Sequence, residues 1–255
     1  MPLWEALAII LAGVWAGTIN TVVGSGTLVT FPVLLFFGYP PVVANVSNSL
    51  GLVGGGVTGV WGYRREVRAM LPALRRLVPA SLIGGIAGAL LLLVLPPEAF
   101  ERIVPLLILL GIVLVIVGPR LQRWAAAHHR DGVPPRSHVV ALVAGVLLAG
   151  VYGGYFGAAQ GVLLIGLLST FSAEPLQRLN GVKNVLGTVV NFVAALVFIV
   201  VEPEAIDWTV AGLILSGALI GGLIGASVGR RLPPTVLRAV IVLIGVVAIA
   251  HLVLT

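Results

Sequence analysis

Ten apolar stretches, bounded by charge, proline or glycine, run along the chain: 3–19, 27–38, 42–61, 77–95, 99–117, 138–155, 162–172, 179–201, 208–229 and 234–254. Stretches of about 17–25 apolar residues suit helices that cross a bilayer. Two are too short: 27–38 and 162–172 reach only about 16–18 Å at 1.5 Å per residue. Each short stretch follows a glycine-rich tip, NTVVGSGT at 20–27 and GGYFGAAQG at 153–161. The pattern predicts two helical hairpins, broken or re-entrant, each entering from one side. Irregular backbone at that depth is tolerated only where protein or a water-filled cavity covers it.

The pattern also repeats. LIGGIAGA at 82–89 returns as LIGGLIGA at 219–226, and LPPEAFER at 95–102 as LPPTVLR at 232–238. At the same offset, about 135 residues, Asn45, Asn48 and Ser49 fall opposite Asn180, Lys183 and Asn184. The chain therefore divides into a first membrane repeat, 1–118, a cytoplasmic linker, 119–137, and a second membrane repeat, 138–255.

Arginine orients the segments. Arg64, Arg65, Arg68, Arg75, Arg76, Arg120, Arg123, Arg130, Arg136, Arg178, Arg230, Arg231 and Arg238 fall on one side, and only Arg102 on the other. By the positive-inside rule those loops are cytoplasmic, and Glu202, Glu204 and Asp207 occupy an external turn. With an odd number of segments per half, the two repeats enter from opposite faces. The predicted fold is an all-α integral membrane protein built of two inverted-topology repeats of about five segments each, an architecture of secondary transporters. The basic run RREVRAMLPALRRL reads as an interfacial orientation signal.

Composition narrows the function classes. Of 255 residues 59% are hydrophobic and 9% charged, with mean hydropathy +1.14, against roughly 45–50% and about 25% in soluble domains. A formal charge of +6 reports orientation in such a chain, so no nucleic-acid partner is expected; the bilayer is the expected surrounding. The chain has no cysteine, which excludes disulfides, thiolate metal sites and cysteine relays. His128, His129 and His138 fall in the central loop and His251 near the end, so no metal cluster forms, and no GxxxxGK[ST] occurs. No cofactor is expected, and no nucleophile–base pair points to an enzyme.

The candidate chemistry is polar and central. The short helices would start at Gly26 and Thr27 in one half and at Gly161 in the other, pointing amides and partial positive charge inward, an anion site in outline. Asn20, Thr21, Ser25 and Gln160 complete the two tips. Asn45 and Asn48, with Ser49 beside them, share one helix face, as do Asn180, Lys183, Asn184 and Asn191. Lys183 is the only lysine; it either attracts an anion or snorkels to the cytoplasmic interface. Tyr152 and Tyr155 either line the cavity or belong to interfacial aromatics. GxxxG patterns at Gly84 and Gly88, and at Gly217, Gly221, Gly225 and Gly229, predict close helix packing, within the chain or in a homodimer.

Two stretches resemble a known family. AGVWAGTINTVVGSGTLVTFPVLLFFGYPPVVANVSNSLG looks like the first signature of the sulfite exporter TauE/SafE family of bacterial membrane permeases, and GVYGGYFGAAQGVLLIGLLSTF followed by LNGVKNVLGTVVNF like the second. GSG stands here where many members carry a longer glycine run, and AAQG where GAG-type sequence is common. The resemblance implies a multi-pass permease of the bacterial cytoplasmic membrane that moves sulfite or small organosulfonates, usually outward. Export of an anion is downhill by about 2.3 kcal/mol per 100 mV in a cell with a negative interior. An anion-selective channel, or an uptake permease for another small oxyanion or carboxylate, would use the same donors.

Overall fold

The computed structural model describes residues 1–127, 136–172, 174–227 and 234–254. They form eleven helices, with no strand among them: α1 Leu3–Val22, α2 Thr27–Phe36, α3 Pro41–Gly62, α4 Arg64–Ala69, α5 Leu71–Val94, α6 Pro97–Ala127, α7 Arg136–Tyr155, α8 Gln160–Phe171, α9 Leu176–Val201, α10 Trp208–Ser227 and α11 Pro234–Leu254. A 3-10 turn, Pro203–Ala205, joins α9 to α10. Prolines mark the starts: Pro41 opens α3, Pro175 precedes α9 and Pro97 opens α6, places where the missing N–H has no helical acceptor to lose.

Among the described residues six helices are long and apolar enough to cross a membrane: 3–22, 71–94, 97–120, 137–155, 176–201 and 208–227. α2 and α8, with 10 and 12 residues, reach only about 15 and 18 Å. The chain is a multi-pass membrane protein, and its polarity is arranged accordingly. Large apolar side chains such as Leu3, Leu11, Val94, Leu106 and Val200 face outward, where lipid tails rather than water suit them. Thr18, Thr27, Asn45, Asn48, Gln160, Lys183 and Asn184 lie inside. Rare intramembrane polar groups tend to turn inward in this way.

The halves interlock instead of standing side by side. α1 packs on α10 and α5 on α7; α2 lies against α11 and α8 against α6; α3 and α9 cross at the centre. Exchanging α1 with α7, α2 with α8, α3 with α9, α5 with α10 and α6 with α11 reproduces these pairings. Of the GxxxG glycines, Gly84, Gly88, Gly217, Gly221 and Gly225 pack within the chain, and Gly229 lies outside the described residues. A Cβ on Gly221 would lie 2.1 Å from the Val14 carbonyl oxygen of α1, and one on Gly88 would lie 2.0 Å from that of Val151 on α7. Such backbone approach lets the Thr18 hydroxyl donate across to the Gly221 carbonyl at 3.0 Å, a bond from one half to the other.

Helix boundaries depart furthest from the apolar stretches at two places. α5 begins at Leu71, six residues before the expected stretch, because the basic run is amphipathic and buries Leu74 and Leu77 while Arg75 and Arg76 stay exposed. α6 continues through the expected linker start to Ala127. His128, His129, Arg130, Arg230 and Arg231 lie outside the described residues.

Candidate functional site

α1 and α7 both stop inside the bundle, and α2 and α8 restart after short turns. At such breaks the last carbonyls and first amides lose helical partners and carry opposite partial charges. In the first turn Val23 and Gly24 both donate N–H to the Ile19 carbonyl, at 2.7 and 3.0 Å, with Gly24 at φ +88°. In the second, Phe156 and Gly157 both donate to the Tyr152 carbonyl, at 3.0 and 3.2 Å. Ala159 there holds a left-handed conformation at φ +61°, a strain of about 1–2 kcal/mol for a residue with a Cβ. The two turns touch: Gly161 donates its N–H to the Gly24 carbonyl at 3.0 Å. A Cβ on Gly24 would lie 2.4 Å from the Gly161 Cα, so the approach requires glycine.

Each helix stop is capped by a side chain from the opposite half. Lys183 of α9 donates from Nζ to the Asn20 and Thr21 carbonyls of α1, at 3.0 and 2.9 Å. Asn45 of α3 donates from Nδ2 to the carbonyl of Tyr155, the last residue of α7, at 2.9 Å. A cation at the carbonyl end of a helix meets the negative end of its dipole. Lys183 is 2% exposed, so it turns inward to α1 and does not snorkel. Two bonds occupy two of its three ammonium donors and leave the third.

Asn48 is committed to the other helix start: it accepts from the Thr30 hydroxyl and donates to Thr27 Oγ1 at 3.3 Å. Beside Lys183 lies a cavity of about 20 Å³, room for about one water. Asn20, Thr21, Thr27, Gln160, Gly161, Lys183 and Asn184 line it, together with Gly24 and Gly157 of the turns. Gly56 and Gly59 of α3 and Gly187, Thr188 and Asn191 of α9 close it. No carboxylate and no arginine stands among these residues.

Two lining amides are unspent. Gln160 and Asn184 are 4% and 7% exposed, and Nε2 of the first and Nδ2 of the second have no hydrogen-bond partner among the described residues. A buried donor left unpaired costs about 1–3 kcal/mol, and such groups call for an explanation. With the free Lys183 donor they make the cavity rich in donors and positively charged. That composition suits an anion.

The structure separates the remaining candidates from the cavity wall. Ser25 is buried in the first turn, its hydroxyl unpartnered among the described residues, and Gly26 packs on α1, where a Cβ would lie 2.6 Å from the Ala16 carbonyl oxygen. Ser49 and Asn180 are buried but off the wall. The Tyr155 ring stands edge-on to Phe100 at 5.6 Å, and Tyr152 is half-buried and off the wall. Gly56, Gly59, Gly187 and Thr188 carried no signal by residue type. They line the cavity because α3 and α9 cross there, with Gly56 set against the Thr188 side chain. Among the described residues no three His, Cys, Asp or Glu side chains gather as a metal site.

The chain is similar to known membrane proteins over most of its length. A probable membrane transporter protein YfcA of Escherichia coli K12 is 25% identical over 237 residues, covering 93% of this chain and 85% of that protein. A probable membrane transporter protein of Haemophilus influenzae is 24% identical over 253 residues, 98% of this chain and 95% of that protein. A Sinorhizobium sp. protein named probable membrane transporter protein ORF9 is 28% identical over 217 residues, 85% and 78%. The sequence model described as sulfite exporter TauE/SafE matches residues 9–252. By that match the chain belongs to the sulfite exporter TauE/SafE family.

Proposed function

We propose that the chain is a secondary anion permease of a bacterial cytoplasmic membrane that moves sulfite or small organosulfonates, in the export direction. The observation that carries this reading is the cavity wall: two buried, unpartnered amide donors and a buried ammonium, with no acidic residue beside them. In an apolar interior such donors replace the hydration shell of an oxyanion, and mostly neutral ones release it again. The relatives' shared name, membrane transporter, points the same way.

The halves 1–118 and 138–255 serve as inverted repeats that rock about the site. Their reciprocal pairings and the two facing helix breaks support that arrangement. A cavity of about 20 Å³, room for about one water, fits an unloaded carrier better than a standing pore. Outward movement of the anion needs no further energy source, because the membrane potential favours it.

Reconstitution tests the function. Proteoliposomes loaded with sulfite, methanesulfonate, sulfate or acetate are expected to show saturable counterflow of labelled sulfite or methanesulfonate. A continuous anion current that neither saturates nor responds to substrate on the opposite side would contradict the carrier.

A further inference from the structure

Among the described residues Lys183 is the one ionisable side chain on the cavity wall, and its ammonium form sets the valence of the anion it can pair with. Four helix ends meet around the two turns: the stops of α1 and α7 and the starts of α2 and α8. Each carries about half an elementary charge, two of one sign and two of the other, so to first order the ends cancel. The uncancelled charge is the ammonium of Lys183. It has no acidic partner on the cavity wall, where the remaining side-chain polar groups are neutral amides and hydroxyls. Gln160 Nε2 and Asn184 Nδ2, both more than nine-tenths buried, add unpartnered donors of zero charge.

We infer that the site takes oxyanions of a single negative charge and rejects dianions of the same size and shape. A monoanion neutralises Lys183 and leaves no net charge in a low-dielectric interior. A dianion leaves one negative charge that no second cation offsets, and such an uncompensated buried charge is strongly disfavoured. A neutral molecule of the same shape meets the amides but leaves Lys183 uncompensated. The inference rests on the permease reading and specifies its substrate class: sulfonates and singly protonated sulfite enter, whereas sulfate does not.

Three compounds with tetrahedral sulfur and similar volume form a charge ladder. They are neutral dimethyl sulfone, singly charged methanesulfonate and doubly charged sulfate. With the full-length protein in proteoliposomes at one pH, labelled methanesulfonate and labelled sulfate are each followed for saturable uptake. Dimethyl sulfone is added as a competitor of methanesulfonate. The expected result is methanesulfonate flux faster than sulfate flux by on the order of tenfold or more, with dimethyl sulfone a weak competitor.

In Lys183→Met, dimethyl sulfone should compete as well as unlabelled methanesulfonate does. Should that variant not fold, the wild-type ladder still decides. Sulfate flux equal to methanesulfonate flux overturns the inference while leaving the permease reading intact. An unchanged ladder in folded Lys183→Met overturns it as well. Absence of saturable flux for either anion overturns both readings together.

Discussion

Lys183 holds the stop of α1 and faces the cavity at once, so its replacement acts on stability and on function. Lys183→Met strips the Asn20 and Thr21 carbonyls of their donor and is expected to lower unfolding stability in detergent by about 1–3 kcal/mol, as well as lowering anion flux sharply while leaving a measurable remainder. Lys183→Arg should recover only part of the activity, because a planar fork does not fit a pocket shaped for a compact ammonium. Asn184 and Gln160 separate the two effects. Their amide nitrogens have no hydrogen-bond partner among the described residues, so Asn184→Leu and Gln160→Met should leave the thermal midpoint unchanged or raised while cutting flux by on the order of tenfold. A fall in stability comparable to that of Lys183→Met would show that these amides are already bonded. The sequence marks Lys183 as unusual, since it is the sole lysine and sits in an apolar stretch. Its partners were not legible, because the acceptors are backbone carbonyls 163 and 162 residues away that any sequence presents alike. The same holds for Asn45, whose donor ends on a carbonyl 110 residues distant.

The helix breaks were the most legible elements, because glycine clusters before short apolar stretches leave few alternatives. What joins the breaks was hidden: contact between Gly24 and Gly161 depends on the absence of a Cβ on both and on a fold that brings them together. Gly24→Ala adds a Cβ against backbone and strains a left-handed φ of +88°. It is expected to destabilise by at least about 2 kcal/mol and to abolish flux by parting the turns. Gly38 shares the left-handed conformation, φ +83°, but opens onto free space. Gly38→Ala should therefore cost only about 1–2 kcal/mol and leave transport in place, which separates conformational strain from contact at the site. Ala159→Gly runs the other way: it relieves the left-handed alanine at φ +61° and should raise stability by up to about 1 kcal/mol. Thermal unfolding of the three variants side by side checks all of these. Equal losses for Gly24→Ala and Gly38→Ala would contradict the importance of the contact between the turns.

At the scale of the molecule, the interlocked halves bind each helix break to the other half, so the site belongs to neither alone. Repeated motifs point to corresponding segments about 135 residues apart, but nothing in them shows which segments pack on which. Repetition records which segments correspond, whereas the packing of α1 on α10 rests on glycines facing backbone. Orientation can be read directly, because the chain has no native cysteine. A membrane-impermeant thiol reagent should label Glu204→Cys in intact cells and Arg68→Cys only after permeabilisation, since both side chains are exposed, Glu204 in the 3-10 turn and Arg68 on α4, in connections expected on opposite faces. Labelling of both in intact cells would reverse one loop and contradict the proposed inverted relation of the halves. The central claim is that the donor-lined cavity between the breaks carries an anion. Its most direct test is saturable counterflow of labelled methanesulfonate in proteoliposomes, measured for the wild-type chain and for Asn184→Leu at matched folded protein. Saturable, trans-stimulated flux in the wild type that collapses in Asn184→Leu is the predicted result; equal flux in the two, or none in the wild type, would contradict it.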